Sequence, residues 1–120
     1  MPKHLLYPPQ LGFWRALQLG YIPEWRSEAY LDFVRSLPSV ISGDKPCVAH
    51  HLVGHGLKGS GQKVNDMLTF PLTEREHTRE AGAFHVLGSH AWESAHDDQR
   101  VYVLQTIVEA IHRGILVMAR

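Results

Sequence analysis

The clearest hydrophobic pattern in the chain lies over residues 27–37. Four apolar residues recur there at i, i+3, i+4 and i+7: Tyr30, Phe33, Val34 and Leu37. This spacing places them on one face of a helix. Ser27 is a suitable N-cap, Glu28 lies in the positive first turn, and Pro38 stops the helix. The pattern therefore predicts an amphipathic helix over residues 27–37.

A second helical pattern lies near the C-terminus, from about Asp97 to His112. Five apolar residues follow the 3.6-residue repeat: Val101, Leu104, Ile107, Val108 and Ile111. Gly114 follows them as a signal for the end of a helix. The pattern predicts a C-terminal helix over about residues 97–112 that carries an apolar stripe.

Two short apolar segments between these helices predict strands. The first covers residues 47–53 and the second covers residues 67–72, where Pro71 marks the end of the strand. The segment 54–66 between them is rich in glycine and predicts a long loop. The predicted order is therefore a strand, a long loop and a second strand.

The second predicted strand leads directly into a further helix. Thr73 and Glu76 stand three residues apart and form a capping box, in which each side chain accepts a hydrogen bond from the backbone N–H of the other residue. Gly82 is suited to end this helix. The pattern predicts that it covers about residues 73–82.

Residues 1–26 predict an irregular arm, because four prolines break regular structure there: Pro2, Pro8, Pro9 and Pro23. The segment LGFWRALQLGYI between them is apolar and aromatic. Packing of the arm on the chain's own core is one interpretation. A surface for a partner, including a dimer partner, is the other.

The composition indicates one globular domain after the arm, over residues 27–120. Apolar residues make up 44% of the 120 residues and charged residues make up 20%. The formal net charge is zero, so any attraction to nucleic acid must be local and not a property of the whole chain.

Cys47 is the single cysteine, which excludes an internal disulfide framework and a cysteine-rich zinc knuckle. The segment MPKHLLYPPQ lacks the features of a signal peptide. No apolar run approaches the roughly 20 residues of a membrane helix. We therefore expect a cytoplasmic protein with no membrane partner.

Nine histidines are the most unusual feature of the composition. His50 and His51 are adjacent on the first predicted strand, so their side chains point to opposite faces. This geometry favours different roles for the two side chains. One imidazole can bind a metal ion, while its neighbour has another role, for instance as a general base. His77 lies about one turn into the following helix and can approach His50. The alternative, that these are surface or hydrogen-bonded core histidines, stays open.

The loop GHGLKGSGQK combines four glycines with Lys58 and Lys63. Glycine lets a backbone approach a phosphate closely, and lysine supplies positive charge. The loop lacks the GK[ST] ending of a Walker loop. By itself the segment is compatible with phosphate contact or with a flexible loop.

The segment AHHLVGHGLKGSGQKVNDMLTFPL, followed by a helical histidine, resembles the ββα-metal (HNH, or His-Me finger) nucleases. Among these it is similar to the phage-encoded branch typified by the Ref nuclease, which acts with the RecA recombinase. The residues that match the branch are His50, His51, Gly54, Gly56, Gly59, Gly61, Lys63, Asp66, Pro71, Leu72 and His77. Downstream, AWESAHDDQ looks like its W-E-x-x-h-g-x-Q segment, and the resemblance covers about residues 27–112.

The resemblance implies an α+β fold with a small ββα-metal core. This core is a two-stranded hairpin and a helix over about residues 47–82, flanked by additional helices. The implied activity is metal-dependent hydrolysis of phosphodiester bonds in DNA, in phage-related recombination or DNA processing. The implied partners are single-stranded or branched DNA and a RecA-type recombinase filament, in the cytoplasm of a bacterial host cell.

The resemblance also implies roles for individual residues. His51 is expected to act as the general base, oriented by Asp66. His50 and His77 are expected to hold one divalent ion, which is magnesium, manganese or zinc. Contacts with the DNA backbone are expected from four loop residues: Lys58, Lys63, Gly59 and Gly61.

Two departures from the family pattern change these expectations. The ligands of the family's structural zinc fall on Ser39, Ser42, Thr73 and Glu76. Hydroxyls are poor zinc ligands compared with thiolates, so this zinc is predicted to be absent. The family's last helical histidine falls on Ala81. His85 is the best substitute as a third metal ligand, and Glu80 is a second candidate.

Two other functions stay open. The lost zinc ligands and Ala81 favour a non-catalytic DNA- or protein-binding module on a degenerate HNH scaffold. The retained His-His pair and Lys63 argue against such a module, because a protein that only binds needs no general base. The third hypothesis is a structural metal-binding domain, in which the histidines only hold the fold.

Overall fold

The computed structural model describes residues 6–57 and 65–117. Its two strands are β1 (Cys47–His51) and β2 (Thr69–Thr73). Its five α-helices are α1 (Phe13–Leu19), α2 (Glu28–Ser36), α3 (Phe84–Leu87), α4 (Ser89–Ala95) and α5 (Gln99–His112). The described residues also form a 3₁₀ turn (Pro9–Leu11) and a π-helical turn (Arg75–Arg79). The predicted α+β class is confirmed, and none of the described helices is long and apolar enough to span a bilayer.

β1 and β2 pair in antiparallel orientation, with His51 opposite Thr69. The predicted strands are therefore present, but the prediction that Pro71 ends the second strand is wrong, because Pro71 lies in the middle of β2 opposite Ala49. Proline is tolerated at this position because each strand of a two-stranded sheet has an edge that needs no N–H donor. The Pro71 carbonyl accepts a hydrogen bond from Val40 N at 3.1 Å.

Packing covers both faces of the hairpin, and all five residues of β2 are buried. On one face, a hydrophobic core joins the hairpin to the later helices: Leu52, Leu68, Phe70, Leu72, Phe84, Trp92 and Val103. On the other face, α2 contributes a second core, against which Ala49 of β1 packs: Tyr30, Phe33, Val34 and Leu37. Consecutive residues of β1 therefore face two different environments.

α2 confirms the helix predicted over residues 27–37. Ser27 is its N-cap, because the Ser27 Oγ accepts a hydrogen bond from Tyr30 N at 3.1 Å. The predicted apolar face is buried against the hairpin. This helix fixes the position of Ser27, whose backbone N–H contacts the candidate site described below.

The predicted capping box after β2 is present. Glu76 Oε1 accepts a hydrogen bond from Thr73 N at 2.8 Å, and Thr73 Oγ1 accepts one from Glu76 N at 3.2 Å. The helix predicted over residues 73–82 is wrong in length, because the chain makes a single π-helical turn and Glu80 is already extended, with ψ of 164°. Glu80 N donates to Arg75 O at 3.0 Å and closes this wide turn.

Ser39 joins the capping box from the segment after α2. Ser39 Oγ donates to Glu76 Oε1 at 2.6 Å and accepts from Ile41 N and Ser42 N at 3.0 and 3.2 Å. Burial opposes ionisation of Glu76, but hydrogen bonds from Ser39, Ser42 and Thr73 hold the pKa of its carboxyl below the usual range. The four residues at which the sequence resemblance predicted loss of a zinc site, Ser39, Ser42, Thr73 and Glu76, thus meet in one hydrogen-bonded cluster.

The prediction of an irregular arm over residues 1–26 is wrong for the part that forms α1. Prolines flank this segment on both sides, but none lies between residues 10 and 22, so an apolar helix can form there. Ala16 is fully buried, and Trp14 and Leu17 pack against the first core. Gly20, with φ of 84°, ends the helix in a left-handed conformation.

α5 begins two residues later than predicted, since Asp98 caps it by accepting from Arg100 N at 2.9 Å. The residues of α5 that are buried are Gln99, Val103, Thr106 and Ala110. Most of the predicted apolar stripe is exposed instead: Val101, Leu104, Val108 and Ile111. The hydrophobic repeat predicted this helix, but it did not predict the face that packs against the protein.

Replacing Glu76 by alanine is expected to lower the free energy of unfolding by about 2 kcal/mol more than replacing it by glutamine. Alanine leaves Ser39 Oγ and Thr73 N without their buried acceptor, whereas glutamine keeps an acceptor oxygen. Urea unfolding followed by circular dichroism measures the difference. Equal unfolding free energies for Glu76→Ala and Glu76→Gln would contradict the role given to this cluster.

Candidate functional site

Three histidines from different elements meet beside the hairpin. His50 comes from β1, His77 from the π-helical turn and His85 from α3. One ring nitrogen of each lies within 4.8 Å of the others, and the Nε2 atoms of His77 and His85 are 3.0 Å apart. His50 is buried, His77 is half-buried and His85 is exposed. The cluster therefore runs from the core to the surface and opens toward solvent at His85.

Ala81 has no ligating atom, and local structure explains how His85 completes the cluster instead. The π-helical turn ends before Ala81, so the rule that i and i+4 share a helix face does not apply to His77 and Ala81. α3 then brings the chain back toward His50, and the Phe84 ring packs against the His50 ring at a centroid distance of 4.2 Å. The other predicted substitute, Glu80, is instead paired with Arg75 Nε at 3.1 Å.

Burial keeps the inner histidines neutral. It lowers the pKa of His50 to about 3, against a smaller opposing effect of the hydrogen bond with Gln99. Burial also lowers the pKa of His77, and the neighbouring His85 adds to this effect. Because a metal-binding imidazole must be unprotonated on the ligating nitrogen, both rings are in the form that binds metal at neutral pH.

Gln99 orients the ring of His50. The Gln99 side chain is fully buried; its Oε1 accepts from Val53 N at 3.0 Å and its Nε2 donates to Val53 O at 2.8 Å. These two bonds fix the amide orientation, so the Oε1 atom that lies 3.2 Å from His50 Nε2 is an acceptor. His50 Nε2 therefore carries the proton, and Nδ1 has the lone pair that can bind an ion. The resemblance marked Gln99 as the last residue of its W-E-x-x-h-g-x-Q segment but gave it no role, because Gln99 and His50 are 49 residues apart along the chain.

His51 lies on the opposite face of β1 and contacts a buried carboxylate. His51 Nε2 is 2.9 Å from Asp66 Oδ1, and Asp66 Oδ2 accepts from Ser27 N at 2.8 Å. Burial opposes ionisation of Asp66, but these hydrogen bonds and the nearby Arg26 hold its pKa below the usual range. An ionised Asp66 makes His51 Nε2 a donor and leaves His51 Nδ1 free to accept a proton.

The structure thus places the predicted residues in two groups. His50, His77 and His85 form one group, and His51 and Asp66 form the other. Asn65, the neighbour of Asp66, shapes the turn, since its Oδ1 accepts from Met67 N at 2.9 Å. The predicted DNA-contacting residues lie outside the described residues: Lys58, Gly59, Gly61 and Lys63.

A second cluster, which the sequence did not predict, joins the loop after β1 to the later helices. His55 Nε2 lies 2.8 Å from Glu93 Oε2 and 3.5 Å from Asp98 Oδ1. Glu93 Oε2 also accepts from Gln99 N at 2.9 Å, and Asp98 is paired with Arg100 at 2.6 Å. The bond to Arg100 lowers the pKa of Asp98 to about 2. Each of these carboxylates already has partners, so the cluster supports the loop and the start of α5.

In chelator-treated protein, His50 is expected to be neutral and protonated on Nε2 at every pH from about 7 down to about 5, because its buried ring has a pKa far below the ordinary value near 6.5. Long-range ¹H–¹⁵N NMR correlations identify the tautomer and the charge of each imidazole. The Gln99→Met variant is the control, and it should lose the fixed tautomer. A charged His50 at pH 5, or a proton on Nδ1, would contradict the orientation described above.

Comparison with known proteins places the chain in a family. It is similar to "Uncharacterized protein YdfU" of Escherichia coli (strain K12), with 29% identity over 92 residues, which are 77% of this chain and 25% of the relative. The chain therefore spans about a quarter of the length of that relative. No solved structure matches the chain. The model of the family described as "Protein of unknown function (DUF968)" matches residues 21–114, and the chain belongs to this family.

Proposed function

We propose that this chain is a metal-dependent DNA endonuclease with an HNH-like core. One observation carries the proposal: the adjacent residues His50 and His51 enter two different sites. His50 joins a three-histidine cluster, while His51 contacts the buried Asp66 carboxylate. Metal binding alone would not need the second arrangement, in which a carboxylate orients an imidazole with one nitrogen left to accept a proton.

The order of elements supports an HNH-like core. β1, the loop, β2 and the π-helical turn follow one another as in a ββα-metal unit, and the first and last of them carry His50 and His77. The helical part is shorter than the resemblance implies, and α3 supplies His85. A ββα unit extended by α3 is the form of the core that we propose.

The donor set fits a transition-metal ion better than magnesium. Three neutral imidazoles are typical ligands of zinc and other first-row ions, whereas magnesium prefers oxygen ligands. The His77 and His85 Nε2 atoms are 3.0 Å apart. Two nitrogens bound to one tetrahedral zinc lie roughly 3.3 Å apart. When bound by these histidines, the ion supplies Lewis-acid stabilisation of the charge that develops on a phosphate.

His51 and Asp66 supply the proton transfer. His51 Nδ1 takes a proton from the water as the water oxygen bonds to the phosphorus atom, the P–O bond to one sugar oxygen breaks, and the released sugar oxygen takes a proton from solvent. Asp66 holds His51 Nε2–H and so fixes the tautomer. The charge on Asp66 then stabilises the imidazolium that forms. The bond from Ser27 N prevents the carboxylate from turning away, which ties the dyad to the start of α2.

The proposed substrate is DNA, single-stranded or branched, with a RecA-type recombinase filament as a partner in the bacterial cytoplasm. This part of the proposal rests on the resemblance and on the loop residues Lys58 and Lys63, which carry local positive charge in a chain of zero net charge. Gly59 and Gly61 allow the backbone of the loop to approach phosphates.

His51→Ala is expected to lower the rate of DNA cleavage by at least about 100-fold, because the general base is lost. The ion remains bound, since His51 is outside the three-histidine cluster. Nicking of supercoiled plasmid and cleavage of single-stranded and branched DNA, each with zinc, manganese or magnesium, measure the rate. The assays are run with and without a recombinase filament. His90→Ala is the matched control, because His90 is an exposed histidine of α4.

Full activity of His51→Ala would contradict the assignment of the base. Absence of cleavage by the wild-type chain under all of these conditions would contradict the nuclease proposal and favour the non-catalytic binding module. Loss of folding in wild-type protein on chelation, without any cleavage activity, would favour the structural metal-binding domain.

The chain is expected to bind one transition-metal ion, and His77→Ala is expected to weaken the binding by at least about 10-fold, since one of three ligands is removed. Elemental analysis after dialysis gives the stoichiometry, and competition with a chromogenic chelator gives the affinity. His90→Ala serves again as the control. A second, chelator-resistant zinc would contradict the predicted loss of the structural zinc site.

A further inference from the structure

The segment AWESAHDDQ supports His50 in two ways. Trp92 is buried and packs against Phe84 at a ring centroid distance of 5.3 Å, and Phe84 packs in turn against the His50 ring. Gln99, the last residue of the segment, has its Oε1 atom 3.2 Å from His50 Nε2. The segment therefore holds one residue of the histidine cluster by ring packing and by a hydrogen bond.

Glu93 binds the other end of the Gln99 amide. Gln99 Oε1 faces His50, whereas Gln99 Nε2 donates to Glu93 Oε2 at 3.2 Å. The same carboxylate oxygen accepts from Gln99 N at 2.9 Å and lies 2.8 Å from His55 Nε2. One oxygen atom of Glu93 thus joins both nitrogens of Gln99 to the loop that follows β1.

The Glu93 carboxyl is ionised at neutral pH. Burial opposes its ionisation, but hydrogen bonds from Gln99 and His55 hold its pKa below the usual range. Its position at the N-terminal end of α5 favours the same state, because a helix carries partial positive charge there. The negative charge of Glu93 therefore lies two hydrogen bonds away from the His50 ring.

We propose that Glu93 is a positioning residue of the metal site, which acts on the ligand His50 through the side chain of Gln99. This inference rests on the proposed function, because it gives Glu93 a role in the metal site proposed above. The carboxylate polarises the Gln99 amide, so that Oε1 becomes a stronger acceptor for the proton on His50 Nε2. A stronger hydrogen bond at Nε2 raises the basicity of Nδ1 and fixes the ring orientation, and both effects strengthen metal binding.

Asp98 belongs to the same group of side chains but lacks this connection. Asp98 Oδ1 lies 3.5 Å from His55 Nε2, and both carboxylate oxygens of Asp98 are bonded to the Arg100 guanidinium. Among the described residues, the Gln99 side chain donates to Glu93 and to Val53 O, and not to Asp98. Glu93→Gln and Asp98→Asn each remove one negative charge without changing the size of the side chain, and asparagine still caps a helix. Asp98→Asn is therefore the matched control for Glu93→Gln.

Proton NMR of the full chain after chelator treatment tests the connection without a metal ion. In Glu93→Gln, the resonance of the His50 Nε2 proton is expected to move upfield, because the hydrogen bond to Gln99 Oε1 weakens. The resonance is expected to stay in place in Asp98→Asn. Glu93→Asp replaces Glu93→Gln if the latter does not fold, since a carboxylate withdrawn by one methylene also weakens the bond. A resonance that moves equally in the Glu93 and Asp98 variants, or in neither, would overturn the proposal.

Zinc affinity tests whether Glu93 acts through Gln99. Competition with a chromogenic chelator is expected to show at least about 3-fold weaker binding for Glu93→Gln, a part of the effect of about 10- to 100-fold that the direct partner of a ligating histidine has. Asp98→Asn is expected to bind zinc as tightly as wild type does. In a Gln99→Met background, Glu93→Gln is expected to have no further effect, because the amide that connects Glu93 to His50 is absent.

Two outcomes would overturn the role of Glu93 alone. These are unchanged zinc affinity in Glu93→Gln, and equal losses of affinity from Glu93→Gln in the wild-type and Gln99→Met backgrounds. Absence of zinc binding by the wild-type chain would instead overturn the metal site of the proposed function, and the role of Glu93 with it. Because zinc affinity is measured without DNA, the result does not depend on nuclease activity.

Discussion

Alternation of side chains along β1 is the constraint on which the candidate site depends. Both faces of the hairpin are covered, so His50 and His51 cannot share an environment. His50 packs between aromatic rings and stays neutral, while His51 reaches the buried Asp66. A shift of β1 by one residue relative to β2 would exchange the two rings and abolish both arrangements. The register of a five-residue strand thus determines which histidine can bind an ion and which can take a proton.

Hydrogen bonds from distant parts of the chain hold each histidine in a defined orientation. Gln99, at the start of α5, fixes the ring of His50, and Ser27, at the start of α2, fixes the carboxylate that contacts His51. Both partners sit at helix N-termini, where the backbone is well anchored by capping side chains. The hairpin supplies the histidines, and the two helices supply their orientation. Hydrogen bonds to the ring nitrogen that does not react restrict each imidazole to a single tautomer.

Local signals in the sequence predicted much of this arrangement. Neighbouring residues alone predicted three features that the structure contains. These are the helix cap at Ser27, the Thr73–Glu76 capping box and the placement of the His50 and His51 side chains on opposite faces of β1. Neighbouring residues did not predict three other features: the length of the turn after Glu76, the role of Gln99 and the buried face of α5. They depend on packing between elements that are distant along the chain. The helix α5 was predicted correctly, but a hydrophobic repeat does not reveal which face of a helix meets the chain's own core.

X-ray absorption spectroscopy at the zinc edge, on the zinc-loaded chain, tests the assignment of the metal site most directly. The spectrum is expected to show three imidazole nitrogens at about 2.0–2.1 Å and no sulfur scatterer. The number of imidazoles should fall to two in His77→Ala and stay at three in His51→Ala. A sulfur ligand from Cys47, or the loss of one imidazole in His51→Ala, would contradict the separation of the metal ligands from the proton acceptor.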